Sequence, residues 1–115
     1  MKRIAIPIVE GKLSEYFGQC SHYKIFDIDS KNIHSDSIEV PHYNDITTLP
    51  EWALQQGITD IIAHKVDKKI LSLFINKKIN LFVGTPINTP SELIEDYMNG
   101  HLKSDKKIIN EITNN

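Results

Sequence analysis

Hydrophobic and polar residues alternate along the first forty positions, the pattern expected of strands that present two different faces. The alternation predicts three strands, at residues 2–9, 23–28 and 33–40. The polar run at 29–32 is typical of a tight antiparallel hairpin between the second strand and the third. Pro7 lies inside the first strand and, because proline has no amide hydrogen, it requires an unpaired position, a bulge or the strand end. Residues 10–21 contain two glycines and are predicted to form a long loop.

After Pro41 the spacing of the hydrophobic residues becomes helical, and two short apolar runs interrupt it. Thr48 stands three residues before Glu51, which predicts a capping box and a helix that ends at Gly57. The same arrangement opens the last helix, which extends from Thr89 to Met98. A middle helix is predicted from apolar residues at helical spacing, namely Val66, Ile70, Leu71, Phe74 and Ile75. The two apolar runs predict buried strands, at residues 58–63 and 79–83.

This order of elements, β-β-β-α-β-α-β-α, predicts an α/β fold. The two late strands are separated by a helix, so they should be parallel and joined by a right-handed crossover. Because these strands are apolar on both sides, we expect helices on both faces of the sheet. The prediction is a three-layer α/β/α sandwich on a mixed five-stranded sheet, with one antiparallel strand, the second. Residues 1–102 should form a single domain, and the Lys- and Asn-rich residues 103–115 a C-terminal tail, disordered or marginally helical.

Composition excludes several classes of protein. The chain has 115 residues, of which 40% are hydrophobic and 24% charged, as in ordinary soluble globular proteins. A net charge of −2 argues against a nucleic-acid partner, because such proteins normally carry a basic excess. No run approaches the roughly 20 apolar residues of a membrane span. One cysteine excludes an internal disulfide and, without an export signal, indicates the cytoplasm.

The chemically distinctive residues fall in segments that this topology brings to one rim of the sheet. Ligands of open α/β sheets bind outside the carboxyl ends of the parallel strands. The side chains expected there are those of Cys20, His22, His42, His64 and Thr85. Thiol and imidazole are ligands that iron, copper and zinc accept, so these residues predict a metal or cofactor site. Taken singly, a half-buried structural thiol and solvent-exposed loop histidines explain the same residues equally well.

Catalytic chemistry has less support in the sequence. There is no phosphate-binding glycine motif, no nucleophile elbow, and no carboxylate in the first strand for a two-metal nuclease. Cys20 could be paired with His42 or His64 as nucleophile and base, but an orienting third group and an oxyanion hole are not identifiable. We therefore expect a protein that is not an enzyme, with hydrolase or nuclease activity as the weakest alternative.

Three stretches of the chain resemble the dinitrogenase iron–molybdenum cofactor biosynthesis family: IAIP, SEYFGQCSHYKIFDID and the half that ends in IEDYMNGHL. These are small domains of the NifX type, also found at the C-terminus of NifB and in NafY, and the resemblance covers residues 2–102. It implies a ribonuclease-H-like fold. It also implies non-catalytic binding of an iron–sulfur or iron–molybdenum cofactor, or its precursor, for delivery between a donor and an acceptor protein. It leaves the oligomeric state open.

The most specific part of the resemblance is a loop motif, commonly His-Phe-Gly with a cysteine two residues later. This chain has Tyr16-Phe17-Gly18-Gln19-Cys20 at that place, followed by an aromatic-led strand. The resemblance implies cofactor contacts by Tyr16, Phe17, Gly18, Cys20 and His22. The predicted metal ligands are Cys20, His42 and His64.

The chain also departs from the family pattern. Tyr16 replaces the histidine most associated with cluster contact, and glycine-rich stretches are replaced at residues 44–48 and 64–66. Without those glycines the backbone cannot approach a large cluster so closely. These departures motivate an alternative hypothesis, a cofactor-free protein-interaction or regulatory domain on the same fold.

Overall fold

A computed structural model of the chain describes residues 2–17, 20–29, 32–39, 48–75, 77 and 79–102. The described residues form six strands: β1 (Lys2–Val9), β2 (Lys12–Leu13), β3 (His22–Asp29), β4 (Asn32–Glu39), β5 (Asp60–Ile62) and β6 (Asn80–Phe82). They form three helices: α1 (Leu49–Gln55), α2 (Lys68–Ile75) and α3 (Pro90–Met98). None of the helices in these ranges is long and apolar enough to span a membrane. The predicted tail, residues 103–115, lies outside the described residues.

The strands form one mixed sheet in the order β4-β3-β1-β5-β6, with β2 paired to β1. β3 is antiparallel to β1 and to β4, whereas β1, β5 and β6 pair in parallel. The predicted α/β class is therefore confirmed. The predicted directions of the five strands, β1, β3, β4, β5 and β6, are also confirmed. The predicted number of strands is wrong, because β2 adds a sixth strand, also antiparallel to β1.

The sixth strand arises from a tight hairpin that the sequence pattern did not reveal. Glu10 and Gly11 connect β1 to β2 with φ values of 52° and 78°. Positive φ at both central residues is the geometry of a type I′ turn, whose twist matches that of the flanking strands. The prediction of an uninterrupted loop over residues 10–21 is thus wrong at its start. A two-residue strand is too short to show alternation, and Glu-Gly is not a preferred turn pair.

Alternating residues of the central strands enter two separate hydrophobic clusters. The first cluster contains side chains of β1, β3 and β5 together with α1 and α2, including Ala5, Ile25, Ile61, Ala53 and Phe74. The second contains the intervening strand positions together with α3, including Ile4, Ile6, Phe26, Ile62 and Leu93. Burial on both faces explains why β1 and β5 are apolar over successive positions.

The two predicted capping boxes have different outcomes. At α3 the Thr89 hydroxyl accepts a hydrogen bond from the Glu92 amide at 3.4 Å, with Thr89 in an extended conformation, as predicted. The reciprocal bond of a capping box is replaced, because the Thr89 amide donates to the Asn88 side-chain oxygen at 3.0 Å. At α1 the prediction is wrong, since Thr48 has helical angles (φ −81°, ψ −10°) and makes no side-chain capping bond. A capping side chain reaches the next turn from an extended backbone, which Thr48 does not have.

At Pro7 the hydrogen-bond partner of β1 changes from β5 to the segment that follows β2. On the side of β1 that faces β5, Thr59 donates to the Arg3 carbonyl, and the parallel register ends at Ala5 and Ile61. Pro7, four residues after Arg3, faces the same side and cannot donate. Its carbonyl instead accepts from the Ser14 amide at 2.8 Å. The space beside the carboxyl end of β1 is therefore taken by the segment that follows β2.

A buried polar cluster lies at the amino ends of β5 and β6, which is the end of the sheet opposite the rim formed by the loops after these strands. The Asp60 carboxylate, in a residue only 1% exposed, accepts from the Thr59 hydroxyl at 2.7 Å and the Asn80 amide at 3.0 Å. The Tyr97 hydroxyl of α3 is also hydrogen-bonded to Asp60. Neutral donors thus satisfy a carboxylate inside the fold and join α3 to the two strands.

Replacing Tyr97 with Phe should make stability less sensitive to alkaline pH. Burial, and then the charge and hydrogen bond of Asp60, raise the pKa of Tyr97 above its ordinary value of 10. The folded state therefore holds this proton more tightly, and the stabilisation present below pH 10 is lost as pH rises through the raised pKa. We expect Tyr97→Phe to cost about 1 kcal/mol at neutral pH. Its free energy of unfolding should then fall less steeply above pH 10 in urea titrations. Parallel pH profiles for both proteins would contradict this.

Replacing Glu10 with Asn should stabilise the protein. A side chain other than Gly, Asn or Asp is strained at the positive φ of Glu10, and Asn tolerates that region. We expect a gain of up to about 1 kcal/mol in the free energy of unfolding. Glu10→Ala is the control, because it removes the charge and keeps the strain. An equal gain in both variants would show that charge, not turn geometry, is responsible.

Candidate functional site

Residues 14–17, which open the loop motif, fill the gap between the carboxyl ends of β1 and β5. The Phe17 amide donates to the Lys65 carbonyl at 2.8 Å, and the Lys65 amide donates to the Glu15 carbonyl at 3.0 Å. On its other side the segment is bonded to Pro7, and the Leu13 amide donates to the Asn88 carbonyl at 2.9 Å. The predicted meeting of the loops after β1, β5 and β6 at one rim is therefore observed. The loop after β4, with His42, lies outside the described residues, as does Gly18.

The two aromatic residues of the motif have different environments. Phe17 is 5% exposed and packs against the rings of Tyr23 and Phe74, with centroids 6.1 and 5.7 Å away. Tyr16 is 46% exposed, and the Lys65 ammonium lies 5.4 Å from its ring centroid. Phe17 therefore anchors the loop to the first cluster. Tyr16 presents its ring to solvent beside the Lys65 cation.

Cys20 lies half-buried at the edge of the first cluster. Burial raises the pKa of its thiol, and the nearby Tyr23 hydroxyl opposes this rise only in part. At neutral pH the residue is therefore a protonated thiol, which is a poor ligand until a metal displaces the proton.

His22 begins β3 on the same rim and is half-buried. Its Nδ1 lies 2.9 Å from the Ser21 hydroxyl oxygen, and that hydroxyl donates to the Ile8 carbonyl at 2.9 Å. Because a hydroxyl has one hydrogen, Nδ1 of His22 must be the donor to Ser21.

His64 lies two residues after β5, beside the motif loop. Its imidazole is half-buried, and Nδ1 lies 2.9 Å from the Thr85 carbonyl oxygen in the loop after β6. Thr85 itself is fully buried, and its hydroxyl has no hydrogen-bond partner among the described residues. Thr85 was expected on this rim from the sequence, whereas Lys65 had no predicted role. The contacts of both residues cross from one loop to another, so no local pattern reveals them.

The described residues do not contain a preassembled metal site. Within residues 2–17, 20–29, 32–39, 48–75 and 79–102, no three His, Cys, Asp or Glu side chains are grouped so that they could hold one ion. Cys20, His22 and His64 therefore provide separate donors on one rim. The predicted ligand set of Cys20, His42 and His64 stays a prediction, because His42 is not among these residues.

Comparison with known proteins identifies the family. Residues 1–100 match the family described as dinitrogenase iron-molybdenum cofactor. The chain belongs to this family. It is 28% identical over 110 residues to an uncharacterized protein of Methanocaldococcus jannaschii, covering 90% of this chain and 91% of that relative.

Solved structures support the fold. The crystal structure of PH0822 superposes with a TM-score of 0.79 at 22% identity, over 90% of this chain and 94% of that one. The apo form of the orange protein from Desulfovibrio gigas superposes with a TM-score of 0.72 at 13% identity, over 91% and 93% of the two chains. At such low identity these likenesses establish the shared fold and nothing about ligands.

Replacing Tyr23 with Phe should make Cys20 less reactive. Loss of the hydroxyl removes a polar group that lowers the pKa of the Cys20 thiol, so the pKa should rise further. At pH 8 a smaller thiolate fraction would then react with iodoacetamide, and the pH–rate profile should move to higher pH. Tyr97→Phe, at the opposite edge of the sheet, is the control. A faster reaction in Tyr23→Phe alone would indicate that the ring had opened access to the thiol.

Proposed function

We propose that this protein is a small cytoplasmic accessory protein that binds an iron–sulfur or iron–molybdenum-type cofactor, or its precursor, and transfers it between proteins without catalysing a reaction. Family membership supports the cofactor class. The observation that carries the proposal is the pairing of the motif loop with the segment after β5, through Phe17 and Lys65. This pairing puts Tyr16 next to the residue that follows His64, on a rim that also has Cys20 and His22.

The donor set suits a cargo that must be released. Thiol and imidazole are ligands that iron accepts. A closed set of three or four protein ligands would give the high affinity of a structural site. Separate donors and a thiol that must lose its proton favour weaker, exchangeable binding. The cargo would contact Cys20, His22, His64 and, as predicted from the sequence, His42, and the protein would shield it on one side.

The finer description of the fold belongs to the same proposal. We infer a ribonuclease-H-like, three-layer arrangement, with α1 and α2 on one face of the sheet and α3 on the other. The separation of the two hydrophobic clusters along alternating strand positions supports it.

A second candidate function is a cofactor-free interaction domain, and exposed apolar residues at the hairpin favour it. Val9 and Ile87 are 38% and 46% exposed and line a groove of about 290 Å³ with Leu13, Glu10, Lys12 and Glu15. Exposed apolar side chains within a polar border are typical of protein-binding surfaces. A protein partner that stays bound in EDTA and without Cys20, and is lost in Val9→Asp, would favour this function over the first.

Anaerobic reconstitution with ferrous iron and sulfide tests the first proposal. We expect the wild type to retain both after desalting and to acquire visible absorption. Cys20→Ala and a His42→Ala, His64→Ala double variant should each retain less, because each loses donors. His34→Ala is the control, since His34 lies near the start of β4, at the other edge of the sheet, and is exposed. Equal spectra for wild type, control and both rim variants would contradict the proposal.

A further inference from the structure

The backbone around His64 is held by hydrogen bonds to two other segments, residues 82–84 and the motif loop. The Ala63 amide donates to the Phe82 carbonyl at 2.8 Å, and the Gly84 amide donates to the His64 carbonyl at 2.7 Å. On the following residue, Lys65 exchanges two bonds with the motif loop. The Cα position of His64 is thus fixed from both sides, although the residue lies in a connecting loop.

The ring of His64 is fixed as well. A carbonyl oxygen can only accept, so the 2.9 Å contact between Nδ1 and the Thr85 oxygen requires the hydrogen to be on Nδ1. In the neutral imidazole the other nitrogen, Nε2, then carries the free lone pair. Metal-binding histidines commonly have this arrangement, in which one ring nitrogen donates to a carbonyl and the other binds the metal.

We propose that Nε2 of His64 is the atom through which this chain ligates its metal cargo, and that the Thr85 carbonyl is the positioning group that selects this nitrogen. The inference rests on the proposed function and deepens it by naming the donor atom. Because backbone and ring are both fixed beforehand, binding does not have to order the side chain, which helps a site with few donors to retain its cargo. Other donors of the rim can then exchange while this one remains bound.

Two substitutions at position 64 separate ligation from structure. His64→Asn keeps a side-chain amide close to the position of Nδ1, so it can still donate to Thr85, but it has nothing at the position of Nε2. His64→Gln places its amide near the position of Nε2 and loses the donor to Thr85. We expect His64→Asn to unfold in urea at nearly the wild-type midpoint and His64→Gln at a lower one. Both should retain iron and sulfide at least about tenfold less well after reconstitution.

Nitrogen-15 NMR of the imidazole gives a readout independent of loading. The metal-free protein should show a protonated Nδ1 and an unprotonated Nε2 for His64, and zinc, as a diamagnetic probe, should shift the Nε2 resonance. A protonated Nε2 with a bare Nδ1 would overturn the inference. Wild-type retention of iron and sulfide by His64→Asn would also overturn it while leaving the proposed function standing. Failure of the wild type itself to retain them would overturn both.

Discussion

The missing amide hydrogen of Pro7 is the constraint on which the rim of the sheet depends. β1 is the central strand, and its ladder with β5 ends two residues before Pro7. Because only the Pro7 carbonyl can be used, the chain folds back through β2 and places the Ser14 amide against it. The motif loop then lies between β1 and β5, and its bonds to Lys65 bring the loops after these strands together. One residue without a donor thus marks where the regular ladder between β1 and β5 ends and the irregular rim begins.

The two ends of the parallel strands differ in how their polar groups are hydrogen-bonded. At the edge where β5 and β6 begin, Asp60 is bonded to two neutral side chains and to Tyr97, and Arg3 donates through Nη1 to both oxygens of Asp27. Such a network stabilises and orients elements. At the rim, Nδ1 of His22 contacts the Ser21 hydroxyl, Nδ1 of His64 contacts the Thr85 carbonyl, and Cys20 is a half-buried thiol. This difference favours a structural role for the polar cluster around Asp60 and a binding role for the rim.

The meeting of the loops at one rim could be predicted from sequence, but the environments of the individual side chains could not. Parallel strands separated by helices bring the segments after them to one rim, so Cys20, His22 and His64 were expected there from topology alone. The sequence Tyr16-Phe17-Gly18 does not indicate which of the two aromatic rings is buried. Phe17 enters the core because Tyr23 and Phe74 lie beneath it, and Tyr16 stays outside beneath Lys65. The environment of the Cys20 thiol likewise depends on Tyr23, a residue of the adjoining strand β3.

The amino-acid sequence was enough to predict the class of fold, the directions of the main strands and the cap of α3, because these follow from the spacing of apolar residues and from interactions within a few positions. It missed β2, and it predicted a cap at Thr48 that the backbone angles do not allow. The orientation of the His64 ring, the pairing of the motif loop with Lys65 and the burial of Thr85 became visible only in the folded chain. Each of these depends on atoms about 20 to 50 positions apart, whose distance is fixed by the packed sheet and not by any local pattern.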